Sequence, residues 1–154
     1  MQLNTLYQEA LTQGRAITVR LLYFDETCSS FLLLKRAEHQ SLPHHWEPPG
    51  GRVEKNELPL DGLIREVYEE TQLRVAKDAV RFFAHVDFTT VKGLAIREFF
   101  FVAKGTSKQI VVDDREHSSH VWVSFDQLPD YLAHPFIKTF LLKNQDKILD
   151  LLLD

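Results

Sequence analysis

Glu66, Glu69 and Glu70 stand at i, i+3 and i+4 within Gly51 to Leu73, GRVEKNELPLDGLIREVYEETQL. On a helix these spacings put three carboxylates on one face. Neighbouring like charges there repel by a few tenths of a kcal/mol per pair, and two of the three fall near the helix C-terminus, where the dipole disfavours anions. Such a face is either bathed in solvent or built for cations. Carboxylate oxygens are the ligands that Mg2+ and Mn2+ prefer, and Mg2+ is commonly held by one or two carboxylates together with substrate phosphates.

The residues around the carboxylates narrow the choice. Gly51 is followed after five residues by Glu57, then after seven by Arg65-Glu66, apolar Val67, Glu69-Glu70, position 72 and apolar Leu73. This spacing resembles the signature of the Nudix hydrolase family, G-x5-E-x7-R-E-U-x-E-E-x-G-U with U apolar. One fixed position differs, because Gln72 stands where the family has Gly. The approach Trp46-Glu47-Pro48-Pro49-Gly50-Gly51 looks like the family's lead into the motif, and Trp122-Val123-Ser124-Phe125-Asp126-Gln127-Leu128 looks like its late Trp-Val strand and following helix.

The resemblance implies the Nudix fold: α+β, with a mixed β-sheet sandwiched between helices, an α/β/α sandwich. It also implies a divalent-metal-dependent hydrolase that cleaves the pyrophosphate linkage of a nucleoside diphosphate derivative, with Mg2+ (or Mn2+) as cofactor. The favoured substrates are an NTP or a dinucleoside polyphosphate, since Glu116-His117 before the Trp122 strand looks like an arrangement of such enzymes. The alternative is a non-catalytic Nudix-like domain that binds a nucleotide or a protein. Degenerate domains of that kind typically lose the glutamates, and all three are kept here.

Carried over residue by residue, Glu66, Glu69 and Glu70 are the expected metal ligands, joined by the Gly51 carbonyl. Glu66 or Glu70 is alternatively the general base. Glu57 and Arg65 are expected to pair and hold the loop on the helix, and Gly62 to permit close helix packing. Glu116 is the expected fourth catalytic carboxylate, with Asp113 and Asp114 as competitors in the same polar loop. Trp46 and Arg52 are the candidate substrate contacts, with Phe83, Phe88 and Phe100 as further aromatics that are ordinarily core. His44, His45, His117 and His120 invite a zinc reading, which we set aside because no convincing His/Cys spacing such as H-x-x-E-H is present. His44 and His45 could line a substrate mouth.

The elements that must position these residues read as follows. Residues 3–13 are amphipathic at helical spacing. Ala16 to Phe24 and Phe31 to Arg36 read as antiparallel strands. Residues 37–45 form a loop, and Pro48-Pro49-Gly50-Gly51 must break regular structure. Residues 59–71 form the carboxylate helix, with Pro59 in its first turn and Leu63, Ile64 and Val67 on its apolar face. Val80 to Thr90 and Ile96 to Lys104 form a hairpin turned at Lys92-Gly93. Ile110 to Val112 and Val121 to Val123 read as short strands. A short helix is expected near Ser124, and one C-terminal helix from Pro135 to Leu153.

Composition sets the outer bounds. The 154 residues suit a single domain, residues 1–154, and 44% apolar with 26% charged content is that of a globular protein. A net charge of −4 gives no footprint for DNA or RNA backbones. The apolar runs are too short to span a membrane. No secretory leader is visible at the N-terminus, so the expected location is cytoplasmic. The lone Cys28 lies in a polar turn without a basic neighbour and reads as a reduced bystander. The expected partner is a small-molecule nucleotide, and a homodimer stays open.

Overall fold

The computed structural model describes residues 2–131 and 135–153. Its elements are α1 (Leu3–Thr12), β1 (Ala16–Asp25), β2 (Phe31–Arg36), β3 (Trp46–Glu47), β4 (Gly50–Arg52), α2 (Pro59–Thr71), β5 (Arg81–Thr89), β6 (Ala95–Gly105), β7 (His117–Val123), α3 (Pro135–Lys143) and α4 (Gln145–Leu153). Strands β1 and β6 are apolar on both faces, which forces helices onto both sides of the sheet. Val19, Leu21, Phe99 and Phe101 pack with Leu6 and Ala10 of α1 and Leu63 and Val67 of α2. Leu22, Phe24, Phe100 and Val102 pack with Ile137 and Leu141 of α3 and Ile148 and Leu152 of α4. This is the expected α/β/α sandwich.

The sheet order is β3-β2-β1-β6-β5, with β4 beside β1 and β7 beside β2. β1 runs parallel to β6, from Ala16 opposite Ile96 to Asp25 opposite Gly105, and the other pairs are antiparallel. One detail of this topology makes the site. β1 pairs with β2 only where Phe24 meets Phe31, then turns to β4 at Thr18 to Arg20, while β2 turns to β3 at Leu34 and Lys35. The strands part, and residues 46–52 fill the gap. The Leu21 N–H donates to the Pro49 carbonyl at 2.8 Å. Gly50 is obligatory there: its φ is +153°, and a Cβ would fall 1.9 Å from the Val19 carbonyl oxygen.

α2 has the expected bounds. Pro59 starts it, Leu63 and Val67 are fully buried, and Asp61 complements the dipole in the first turn. Its lead-in loop is tied down by Glu57, which accepts hydrogen bonds from Arg65 Nε at 2.8 Å, Arg65 Nη2 at 2.9 Å and the Glu54 N–H at 3.0 Å. Gly62 leaves room for that carboxylate, since a Cβ would lie 2.9 Å from Glu57 Oε1. The helix ends on Gln72 in the left-handed conformation, φ 62° and ψ 14°.

Four expectations need correction. Ile110 to Val112 is not a strand. The Val111 and Asp113 N–H groups donate to the carbonyls of Thr71 and Glu70 at 3.0 and 3.1 Å, so the segment satisfies orphan carbonyls of α2 instead of joining the sheet. The C-terminal helix is two helices broken at Asn144, whose side chain donates to the Phe140 carbonyl at 2.8 Å and competes with the backbone. The helix expected near Ser124 is a turn leading to a single 3-10 turn at Leu128–Asp130, with Ser124 and Gln127 capping one another. β7 begins at His117, four residues before the expected start at Val121, because its polar half pairs with the edge of β2.

Two stability measurements follow. Gln72 is exposed and left-handed, so Gln72→Gly should stabilise the protein by about 1 kcal/mol in denaturant unfolding, with no change in the metal site. A loss of stability would mean that the Gln72 side chain makes a contact worth more than the strain. Glu57→Gln removes the charged half of the Arg65 pair and should cost about 1 kcal/mol by the same measurement.

Candidate active site

The three carboxylates of α2 share a face but not an environment. Glu69 is half exposed, at 52% of its side chain, whereas Glu70 is 3% exposed overall. A purely solvated acidic face would leave both in water. Glu70 instead points under the β3–β4 turn, where its Oε1 accepts the Gly50 N–H at 2.8 Å. Burial pushes its carboxyl well above the ordinary range, and Glu47 and Glu66 push the same way; Arg20 and the Gly50 N–H offset only part of this. Burial also raises Glu66, against the pull of Arg65. Gly51 makes the approach of Glu66 feasible, since a Cβ there would lie 2.5 Å from that carboxylate.

Arg65 does more than pair with Glu57. Its Nη1 also donates to Glu66 Oε1 at 3.0 Å and lies 3.4 Å from Glu69. Arg65 thus offsets part of the repulsion expected at Glu66 and Glu69, though Glu69 still pushes Glu66 up.

The 113–117 loop closes over this face. Gln40, Glu69, Glu70, Asp113, Arg115 and Glu116 line a cleft of about 290 Å³. Asp113 is engaged by Arg115 at 2.8 Å, which holds it below the ordinary carboxylate range. Glu116 is exposed, and one of its oxygens lies within 4.8 Å of ligand atoms of both Glu70 and His117. Among the competitors, the geometry thus brings Glu116 to the cluster, while Asp114 is not among the residues lining the cleft.

Beside Glu70 lies a part-buried ion network that sequence reasoning missed. Glu47 takes Arg20 Nη1 at 2.8 Å and Arg36 Nη1 at 2.9 Å, and Arg20 Nε reaches Glu98 at 3.4 Å. Burial alone would raise Glu47, but Arg20, His117 and Arg36 together hold it well below the ordinary range. The available signals were Arg20 inside the apolar run AITVRLLYF and a glutamate directly after Trp46. His117, set aside with the other histidines in the sequence, belongs here as well. It is 1% exposed and lies 3.6 Å from Glu70 and 3.8 Å from Glu47.

Beyond Glu47 the site opens into a pocket of about 400 Å³, whose walls include Trp46, Phe88, Phe100, Leu42, Phe136 and His45. Trp46 packs edge-on against Tyr131 with ring centroids 5.5 Å apart. The structure does not bring Arg52 here. Arg52 lines a separate groove with Tyr7 and Arg15, apart from the pocket that Trp46 lines. Phe83 is core, stacked near Phe140, and His44 is not among the pocket residues.

The donor set fits a hard divalent cation. Glu70 is a buried carboxylate held by one N–H, Glu66 and Glu116 stand close by, and each nearby arginine is already paired with a carboxylate.

A profile of the NUDIX domain matches residues 14–143 of this chain. An m7GpppN-mRNA hydrolase of Danio rerio is 38% identical over 77 residues, 49% of this chain and 25% of that protein. The match thus spans only a quarter of that relative's length. An RNA pyrophosphohydrolase of Bartonella henselae is 29% identical over 66% of this chain and 71% of its own length. An asymmetrical bis(5'-nucleosyl)-tetraphosphatase of Rattus norvegicus is 28% identical over 67% and 69%. The crystal structure of a MutT protein from Methanosarcina mazei Go1 shares the fold, with a TM-score of 0.73 over 86% of this chain and 94% of that one, at 24% identity. With the profile covering most of its length, the chain belongs to the Nudix hydrolase family.

Proposed function

We propose that this chain is a divalent-metal-dependent pyrophosphohydrolase that cleaves a phosphoanhydride bond of a nucleoside 5′-polyphosphate, either an NTP or a dinucleoside polyphosphate. The observation that carries this reading is Glu70: a carboxylate 3% exposed, pushed up by burial, with one backbone donor and further carboxylates around it. Such a group is costly without a cation. The relatives are named for acting on RNA pyrophosphate ends, an mRNA cap and a dinucleoside tetraphosphate, and each of these carries a 5′-linked polyphosphate.

Arg20, Arg36, Arg65 and Arg115 are all paired with carboxylates, so a polyphosphate entering this acidic cleft finds little free positive charge. Glu66, Glu69, Glu70 and the Gly51 carbonyl would hold Mg2+ or Mn2+, with Glu116 completing the set from the loop. The cation, when bound, neutralises phosphate oxygens and acidifies a water. The chain's own part is to hold and orient. Gly50 fixes Glu70 through its N–H, Arg65 orients Glu66, and Glu66 or Glu70, both raised, is suited to accept a proton from the attacking water. The pocket of Trp46, Phe88 and Phe100 takes the base, adjoining the cleft through Glu47.

The function itself is tested by assaying phosphate and pyrophosphate release from dNTPs, dinucleoside polyphosphates, ADP-ribose, NADH and 5′-triphosphorylated RNA, with and without Mg2+. Hydrolysis of NTPs or dinucleoside polyphosphates only when Mg2+ is present is the expected outcome. Glu70→Gln and Glu69→Gln should each lower kcat by at least ~10²-fold. Without metal, Glu70→Gln should raise the thermal midpoint, while Glu69→Gln, which gives up its contact with Arg65, should leave it unchanged. Mg2+ should raise the wild-type midpoint more than that of either variant. Trp46→Ala should raise KM more than it lowers kcat, by the equivalent of about 1–3 kcal/mol if the indole stacks on a base. Unfolding without a selective kinetic effect would make Trp46 core through its contact with Tyr131.

A further inference from the structure

His117 is anomalous among the described residues. It is 1% exposed, and the buried side-chain nitrogens and oxygens that lack any hydrogen-bond partner there are its two ring nitrogens. A buried imidazole always carries at least one N–H, so leaving both nitrogens unpaired costs about 1–3 kcal/mol or more. The reason is spacing. Nδ1 lies 3.6 Å from Glu70 Oε2, and Nε2 lies 3.8 Å from Glu47 Oε2, both too far for a hydrogen bond. Glu47 is meanwhile bonded directly to Arg20 and Arg36, and the ring adds only a longer-range pull on its carboxylate.

The position is imposed by the backbone. β7 pairs with β2 through a register shift between Lys35 and Arg36, so that Arg36 lies opposite His117 while Lys35 lies opposite Ser119. The bulge leaves Ser118 exposed, and His117 is buried beside Glu70. The neighbouring Glu116 stays exposed, yet ligand atoms of Glu70, Glu116 and His117 all lie within 4.8 Å of one another.

The separation that fails as a hydrogen bond suits a shared ion. Two ligands at roughly 2.1 Å from one cation are roughly 3.0 Å apart at octahedral and 3.4 Å at tetrahedral angles. The Nδ1 to Glu70 distance of 3.6 Å is slightly wider than these and closes with a small rotation of either side chain.

We propose that His117, Glu70 and Glu116 form a mixed nitrogen–oxygen cation site that takes a first-row transition-metal ion in preference to Mg2+. This rests on the acidic face being the metal-holding site, and it adds a ligand and a selectivity to it. Imidazole is a poor ligand for Mg2+ and a good one along the series from Mn2+ to Zn2+. Glu66 and Glu69, with oxygen alone to offer, keep the preference for a hard ion. The cluster therefore sorts ions, with an all-oxygen side towards Gly51 and a nitrogen-bearing side beneath the 113–117 loop.

The test uses the full chain stripped of metal and reloaded with Mn2+ alone. Electron spin echo envelope modulation reads nitrogen bound directly to Mn2+. The wild type should show 14N coupling, and His117→Gln should lose it while still binding Mn2+ through the remaining carboxylates. By calorimetry, His117→Gln should weaken Mn2+ binding by at least about tenfold and narrow the preference for Mn2+ over Mg2+. Glu116→Gln, an exposed change that spares the fold, should also weaken Mn2+ binding. Absence of 14N coupling in the wild type overturns the proposal even if His117→Gln fails to fold. Coupling that survives in His117→Gln overturns it too, because another histidine would then be the ligand. Mg2+-dependent hydrolysis by the wild type, measured alongside, separates the failures. If it persists without nitrogen coupling, the hydrolase reading stands and the nitrogen site falls. If Mn2+ does not bind and hydrolysis needs no metal, both fall.

Discussion

The site depends on the hydrogen bond from the Gly50 N–H to the Glu70 carboxylate. It links the turn between β3 and β4 to the last full turn of α2, and it can form only if several unrelated conditions hold together. β1 must leave β2 after one residue pair so that residues 46–52 have a gap to fill. Position 50 must lack a Cβ, because its backbone presses on Val19. Position 51 must lack one too, because the Glu66 carboxylate occupies that space. The helix must then bring a carboxylate out of water to meet the turn, at a cost that one N–H does not cover. Such a group is kept either by protonation or by something beyond the chain that completes it, and on the proposed function that is a cation.

Around that contact the charges are arranged in order. Furthest out, Arg65 bridges Glu57, Glu66 and Glu69, one cation among three carboxylates, so the outer part of the acidic face is tied together but stays net negative. Further in, Arg20 and Arg36 neutralise Glu47. Between these two clusters, Glu70 and His117 are left without full partners. Negative charge thus runs from the outer face to Glu70 beneath the 113–117 loop. On the proposed function, that layout would separate binding of a polyphosphate, which needs cations, from binding of a base, which needs dry aromatic surface.

Most of the scaffold was legible in the sequence because it rests on local signals. Pro59 and the spacing of Leu63 and Val67 mark α2 to the residue, and Lys92-Gly93 marks the β5–β6 hairpin. The left-handed Gln72 was legible because only a helix end explains a glycine at the matching position of the family pattern. What escaped depends on partners distant in sequence. β3 and β4 are two and three residues long and exist only through their pairing with β2 and β1. Residues 110–112 have strand-like composition but spend their N–H groups on the end of α2. His117 looked like one of four scattered histidines, since its burial follows from a bulge in β7 and its neighbour Glu70 comes from a helix 47 positions earlier (117 − 70). Arg52 sits beside the glycines in sequence yet lines a groove with Tyr7 and Arg15, away from the pocket of Trp46.

The central claim is that Glu70 is a buried carboxylate waiting for a cation, and its own titration tests this most directly. With glutamate side chains labelled at the carboxyl carbon, the Glu70 signal can be followed by NMR across pH in the metal-free protein and again in saturating Mg2+. The account predicts an apparent pKa above the usual glutamate value of about 4.3 without metal, and a marked fall when Mg2+ is bound, because the ion favours the charged form. A Glu70 that titrates at the ordinary value in both samples, unmoved by Mg2+, would contradict it.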